Sequence, residues 1–423
     1  MIGLVIQHKK RNQKILIVTI CTMICFTPIV HFVNQLCRTI FGAGVELDTL
    51  LCYMFLAGML LASVKQLHFQ IKIDALLVLI IFALAYALSY SFVDANKRYM
   101  FTEWTDFAGN PAYLLFAFSL PGYVFMRYVT DYERMVEMFR YFSLIVVFCS
   151  LGSFVLMIVR NVQPEYMSFS YNLLFGAIFS SVFYIEKRKV LSLIAAIIGI
   201  ILIFLAGARG PLACCFVSLV ICFLLSKATV AKKFVIVFLL ISIGVIVMLF
   251  WEQILLALKN AVDSLGISSR TVDLLLNGDF FSDSSRGEIQ RKIIDGFTLF
   301  GKGLYGDRAI GENHYSHNLI IELISQWGYL CGTMIIAVLG ILIYKGFRTK
   351  DPNLRLLIVA FFPASIVKLM FSESYLLHNA VFFVLVAACV NALEVKEPPP
   401  LAVEPVLPAK KKSKYIKAPS RYC

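Results

Sequence analysis

Long apolar runs dominate the sequence, and they restrict the chain to very few folds. Inside a bilayer only helices and closed barrels satisfy all of their backbone hydrogen bonds, and a spanning helix needs about 20 mostly apolar residues. Twelve candidate runs lie near 15–33, 48–64, 75–93, 112–126, 141–159, 171–185, 190–206, 211–226, 234–250, 319–343, 356–371 and 379–393. The sequence therefore predicts an all-α polytopic membrane protein with about twelve transmembrane helices.

Composition excludes the other common classes of chain. The sequence is 60% hydrophobic and 15% charged, whereas a soluble globular protein is about 45–50% apolar and about 25% charged. These values exclude disordered, collagen-like, coiled-coil and disulfide-scaffold chains. The net charge of +13 does not indicate a nucleic-acid partner, because basic residues of polytopic proteins collect in cytoplasmic loops beside anionic lipid.

The basic residues predict the orientation of the chain. If the N-terminus is cytoplasmic, 26 of the 39 Lys and Arg residues lie on the cytoplasmic side and 12 on the other, with Lys368 inside a span. By the positive-inside rule both termini are then cytoplasmic. Residues 1–393 are predicted to form one transmembrane domain, and residues 394–423 a disordered, basic cytoplasmic tail.

The longest polar connection, residues 251–318, is predicted to be a large extracytoplasmic loop between the ninth and tenth spans. Loops of this length are usually functional or disordered. Trp251 to Gly266 carries an apolar face that suits a helix lying in the membrane interface. Ser285 and Glu288 form a capping box, which predicts a short helix beginning near Arg286.

Two arginines of this predicted outer face each have two interpretations. A cation is unfavourable at a helix N-terminus, so Arg286 either binds an anion together with the first-turn amides or extends to a lipid phosphate. Arg209, between two spans, either points into an outward cavity towards an anionic substrate or extends from a helix end to the surface. The segment 301–306 matches G-x-G-x-x-G but lacks a βαβ context, and is interpreted as a flexible turn.

Other titratable side chains lie on the same predicted face. His317 is suited to proton transfer by its ordinary pKa of about 6.5, although a cap or interface role is the alternative. His314 completes an H-x-x-H pair without a third ligand, so no metal site is predicted. His378, in a second His-Asn pair on the same side, is interpreted either as having no functional role or as a polar residue that lines the site. Lys368 either pairs with Glu373 or extends to the membrane surface.

Three segments, in this order, resemble the motifs of one family: an Arg-Gly between two spans, an S-x-R…G-x-G loop, and an H-N-x4-L-x4-G-x3-G segment. The matching residues are Arg209-Gly210, Ser285-Arg286 with Gly301 and Gly303, and His317-Asn318 with Leu323, Gly328 and Gly332. The chain thus resembles the O-antigen ligase and polymerase superfamily of bacterial membrane glycosyltransferases. The resemblance extends over about 205–335, whereas the first 200 residues match only as apolar spans.

The resemblance implies a GT-C-like fold and inverting, metal-independent glycosyl transfer on the outer face of the bacterial cytoplasmic membrane, without a cofactor. The donor would be a glycan on undecaprenyl diphosphate, and a chain-length regulator is a further implied partner. The acceptor hydroxyl would belong to another lipid-linked repeat unit in a polymerase or to lipid A-core in a ligase.

The resemblance also assigns roles to residues. It implies that Arg209 and Arg286 bind the diphosphate and that His317 is the catalytic base. His314, Asn318, Lys368 and His378 are secondary candidates. A polymerase is favoured slightly, because nothing points to a lipid A acceptor. A flippase for the same lipids is the alternative from another class, although no duplicated halves are visible.

Overall fold

The computed structural model is a bundle of helices, and every regular element among the described residues is helical. The structure describes residues 2–41, 47–66, 72–97, 99–100, 111–160, 166–225, 286–311, 314–377 and 379–395, together with isolated positions between 253 and 277.

The described ranges contain fourteen helices whose bounds are known, α1 to α14 in chain order. Helices α1 to α7 are Ile2–Phe41, Leu47–Gln66, Ile73–Phe92, Asp94–Lys97, Pro111–Met126, Tyr132–Val159 and Tyr166–Lys187. Helices α8 to α14 are Val190–Ala206, Arg209–Leu225, Arg286–Asp295, Gly306–Ile310, Leu319–Phe347, Pro352–Phe371 and Ala380–Glu394. Helices α5 and α13 each include a π-helical turn, at Leu114–Ser119 and Pro363–Val367.

The helices agree with the predicted class and leave the number of spans open. Within the described ranges six helices are long and apolar enough to cross a membrane, and five shorter apolar helices have 10–17 residues. The chain is therefore a multi-pass membrane protein. The run over 234–250 lies outside the described residues. Because α8 and α9 have 17 residues each, they reach only about 26 Å at 1.5 Å per residue, and twelve spans stays a prediction.

An aromatic cluster forms the centre of the bundle. Phe139 of α6 packs on Phe175 and Phe179 of α7 and on Phe361 of α13, with ring centroids 5.3–5.4 Å apart. Buried aromatic pairs of this kind contribute about 0.5–1.5 kcal/mol beyond the burial of their area. The cluster therefore holds together three helices that contribute to the site described below.

Local sequence sets where several helices begin and end. The Asp131 carboxylate accepts a hydrogen bond from the Arg134 amide at 3.1 Å and begins α6. Asp351 caps α13 in the same way, with Pro352 at the first helical position. Gly207, at φ +91°, ends α8 in a left-handed cap. Helix α9 then begins two residues later, at Arg209.

An ion cluster around the buried Arg127 joins the start of α3 to the ends of α5 and α14. Arg127, which is 3% exposed, contacts the carboxylates of Asp74 and Glu394 and the amide of Asn391. Lys72 adds a second cation, 3.2 Å from Glu394. Glu394 was assigned to the tail from the sequence, but it is the last residue of α14. From residue 396 on, the predicted tail lies outside the described residues.

The Arg127 cluster and residues 286–311 lie at opposite ends of the helices, and this separation predicts opposite sides of the membrane. A fluorescent reporter fused after Lys189 should report the cytoplasm, whereas a phosphatase fused after Gly296 should be active outside it. The positive-inside bias is the physical reason. Exchanging the two reporters provides the control, and a cytoplasmic signal after Gly296 would contradict the predicted orientation.

Candidate active site

Arg286 lies where three helices meet at one end of the bundle. Its Nη1 donates to the Phe371 carbonyl at the end of α13, at 2.7 Å, and its Nη2 lies 3.9 Å from Met167 Sδ at the start of α7. The predicted short helix begins at Arg286 and forms α10. Ser285, the other half of the predicted capping box, lies outside the described residues.

Helix α10 also fixes the segment that precedes α12. Gln290, one turn after Arg286, donates from Nε2 to the Ser316 carbonyl at 3.0 Å. Ile293 is fully buried and anchors α10 in the protein. These contacts bring Arg286 and His317 into the same site although 30 residues separate them in the sequence.

His317 is half-buried, in surroundings that favour the neutral imidazole. Its ring packs on Tyr315, with centroids 4.0 Å apart, and its Nδ1 has no hydrogen-bond partner within the described part of the chain. Burial, followed by the positive charges of Arg286 and His314, lowers the pKa of His317 to about 4. At neutral pH the imidazole is therefore the unprotonated form that accepts a proton.

The two neighbouring candidates have other structural contacts. Asn318 is the N-cap of α12, since its Oδ1 accepts from the amides of Ile320 and Ile321 at 3.0 and 3.3 Å. His314 is exposed, and its backbone N–H donates to the Gly311 carbonyl at 3.1 Å. The side chain of Asn318 is thus directed to a helix end.

Lys368 forms the ion pair that was one of its two predicted alternatives. Its Nζ lies 2.7 Å from Glu373 Oε2 and 5.4 Å from the centroid of the Tyr171 ring. Glu373 has φ +64°, a conformation that non-glycine residues rarely adopt. His378, the remaining secondary candidate, lies outside the described residues.

The backbone at Arg209 and Gly210 lies beside Tyr171 and Phe371, which contact Lys368 and Arg286. A Cβ at Gly210 would lie 2.2 Å from Tyr171 Oη and 3.4 Å from Phe371 Cβ. Phe371 is the residue whose carbonyl accepts from Arg286. The start of α9 therefore packs directly against the elements that hold Arg286 and Lys368.

A break in α12 provides the docking place for the loop. At Gly328, with φ +78° and ψ 171°, the helix is interrupted. The carbonyls of Ser325 and Gln326 accept from the amides of Lys302 and Gly303 at 2.8 and 3.1 Å. In return the amides that follow Gly328 donate to carbonyls of residues 298 and 299, at 3.1 and 3.4 Å. The hydrogen bonds lost inside α12 are thereby replaced by bonds to the loop.

The segment 301–306 is thus a docked segment, and its interpretation as a flexible turn is corrected. A Cβ on Gly301 would lie 2.3 Å from the Gln326 carbonyl oxygen. From the other side the buried Asn96 donates to the carbonyls of Lys302 and Leu304, at 2.8 and 2.9 Å. The glycines are needed for close backbone approach, and their partners are distant in sequence.

A buried polar network, which was not predicted from the sequence, contacts the segment that carries His317. Its members, each 3% exposed or less, are Asp307, Glu322, Gln326, Ser374 and Tyr375. The sequence did contain an indication of this network. Glu322 and Gln326 are polar residues four positions apart in an apolar span, and polar residues inside a span usually have a functional role. Among the residues that the structure describes, no three His, Cys, Asp or Glu side chains are grouped to hold a metal ion.

Comparison with known proteins identifies one family. Residues 194–336 match the family model described as O-antigen ligase, Wzy_C. The match includes Arg209, Arg286 and His317, and it confirms the resemblance to the O-antigen ligase and polymerase superfamily. No curated protein and no solved structure matches significantly.

The lowered pKa of His317 predicts a measurable titration. Ring-carbon NMR of the six histidines, with a His317→Gln variant for assignment, should place its midpoint near pH 4. Because the neutral form is the base, protonation of His317 should lower kcat/KM only when the pH is decreased to near that value. A His317 midpoint of 6 to 7 would contradict the burial of its ring.

Proposed function

As a relative of the O-antigen ligase and polymerase superfamily, the protein is, we propose, a membrane glycosyltransferase. It transfers a glycan from undecaprenyl diphosphate to a sugar hydroxyl on the outer face of the bacterial cytoplasmic membrane. One observation carries the proposal: a neutral histidine and an arginine lie together at one end of the bundle, beside a second arginine at a helix start. This combination suits a reaction with an anionic leaving group and a hydroxyl nucleophile.

The arginines suit the leaving group. As the glycosidic bond breaks, its electron pair passes to the diphosphate oxygen, and fixed cations near that oxygen lower the barrier. A guanidinium has five N–H donors and binds phosphate in bidentate fashion. The Phe371 carbonyl accepts one donor of Arg286 and so orients the group. Arg209 would bind the diphosphate from the start of α9. Because these cations come from the protein, the proposed transfer needs no metal.

His317 suits the nucleophile. The acceptor hydroxyl oxygen forms a bond to the anomeric carbon while its proton passes to the neutral imidazole. A single displacement of this kind inverts the anomeric centre. Binding of the anionic diphosphate beside His317 would raise its pKa above the resting value, because a nearby negative charge stabilises imidazolium. The base would thus become stronger when the donor is bound.

An apolar groove suits the lipid part of a substrate. A cavity of about 250 Å³ lies between α3, α12 and α14, and it is lined by residues such as Phe82, Leu339 and Phe383. Among the six long helices, α3 and α12 have the smallest fraction of their apolar stretch buried inside the protein. An isoprenoid chain in this groove would remain in contact with lipid while its polar head reached the site.

The acceptor separates two candidate activities. We favour a polymerase, whose acceptor is another lipid-linked repeat unit and whose product length a regulator partner would set. A ligase acting on lipid A-core is the second candidate, which the name of the matched family model favours. A flippase is less consistent with the site, because transporters bind substrate near the bilayer midplane. In a deletion strain, single-repeat products indicate a lost polymerase, and full-length chains left on the carrier indicate a lost ligase.

Conservative substitution of the two arginines should separate the effect of their positive charge from that of their planar guanidinium group. Arg286→Lys and Arg209→Lys keep the charge but lose the planar fork, so a purified transfer assay should show loss of most activity. His317→Ala should reduce transfer by about 10²–10⁴-fold. His314→Ala is the matched control and should lose far less. Full activity of both lysine variants and of His317→Ala, at unchanged expression, would contradict the proposed function.

A further inference from the structure

The buried polar network is not used by the proposed chemistry, yet it contacts the segment that carries His317. Asp307 Oδ2 accepts from the Ser316 amide at 3.2 Å, and the Ser316 carbonyl accepts from Gln290. Both polar backbone groups of the residue before His317 are therefore held. His317 itself has φ +51°. A conformation of this kind persists only where the surroundings impose it.

The hydrogen-bond partners of Gln326 assign an orientation to its side-chain amide. Trp327 Nε1 donates to Tyr375 Oη at 2.9 Å, and the Tyr375 hydroxyl donates to Gln326 Oε1 at 2.8 Å. Both hydrogens of Gln326 Nε2 are then directed to carboxylates, to Asp307 Oδ1 at 3.0 Å and to Glu322 Oε1 at 3.2 Å. Asp307 consequently faces two donors, neither of which can accept a hydrogen bond.

Glu322 binds the segment 372–375, which follows α13. Its carboxyl group accepts from the Ser374 hydroxyl and, at 3.4 Å, from the backbone amide of Tyr375. Burial raises the pKa of Tyr315, and hydrogen bonds from Ser372 and the backbone of Glu373 partly offset that rise. Tyr315 packs on the ring of His317. Glu322 is thus connected to the imidazole only indirectly, through the segment 372–375 and Tyr315.

We propose that Asp307 is a positioning residue for glycosyl transfer, which holds the backbone before His317 through Ser316 and is itself oriented by the Gln326 amide. This inference rests on the proposed function, because it assumes that His317 accepts a proton. Asp307 touches neither the imidazole nor the groups that would bind the diphosphate in the described structure. Its loss should therefore affect turnover and leave donor binding intact.

Asparagine at position 307 tests the requirement for an acceptor. Asp307→Asn is almost isosteric, but its amide must direct a donor at either Ser316 or Gln326, which both donate. Because misplacement of a reacting group by about 1 Å costs on the order of 10²-fold, kcat should fall by about 10-fold to 100-fold. The KM for the lipid-linked donor should stay within about 2-fold of the wild-type value, since the arginines that would bind the diphosphate are unchanged.

Two matched controls separate positioning from general destabilisation. Glu322→Gln changes an equally buried carboxyl group of the same network, but its new donor faces only the 3.4 Å amide contact, so its kcat should fall less. Thr19→Val removes a buried hydrogen bond of 2.6 Å to Ser63, remote from the site, and kcat should not change. If Asp307→Asn does not fold, Gln290→Met releases the other backbone group of Ser316 and should also lower kcat.

The outcomes distinguish this inference from the proposed function. If His317→Ala is inactive while Asp307→Asn and Gln290→Met both behave like Thr19→Val, the positioning role is overturned and the proposed function stands. If His317→Ala keeps full transfer, the base itself is wrong. A selective loss of kcat in Asp307→Asn, larger than in Glu322→Gln and at an unchanged melting temperature, supports the positioning role.

Discussion

The exchange of backbone hydrogen bonds at the break in α12 is the interaction on which the site depends. A helix interrupted inside an apolar environment leaves amides and carbonyls that water cannot satisfy. Residues 298–303 supply those partners, with bonds of 2.8–3.4 Å. The docked loop carries α10 on one side and α11 on the other. Arg286, Asp307 and the segment before His317 are consequently held by one backbone connection.

The helices were predictable because apolar length is a local property. Eleven of the twelve apolar runs coincide with helices, and the short helix predicted near Arg286 is present as α10. The sequence order of Arg209, Arg286 and His317 also indicated the family, because residue type and spacing carry that signal. Helix length was less predictable. Gly207 ends α8 by adopting a left-handed conformation, and hydropathy does not report a backbone angle.

Features that depend on distant pairing were not predictable. Arg127 was counted as a topological charge, but it is the buried centre of an ion cluster whose partners come from α3 and α14. The turn at 301–306 was interpreted as flexible because its partners, around Gly328 and Asn96, are remote in the chain. Asp307 carried no signal at all, since only tertiary packing gives it two donors.

The proposed function gives two separate tasks to two groups of the site: Arg286 would hold the diphosphate, and His317 would remove the proton. The most direct test measures the affinity of the purified protein for a lipid-linked donor alongside single-turnover transfer. The account predicts that His317→Ala binds the donor as tightly as the wild type and transfers almost nothing, whereas Arg286→Ala loses binding. Wild-type donor affinity in Arg286→Ala, or rapid single-turnover transfer by His317→Ala, would contradict it.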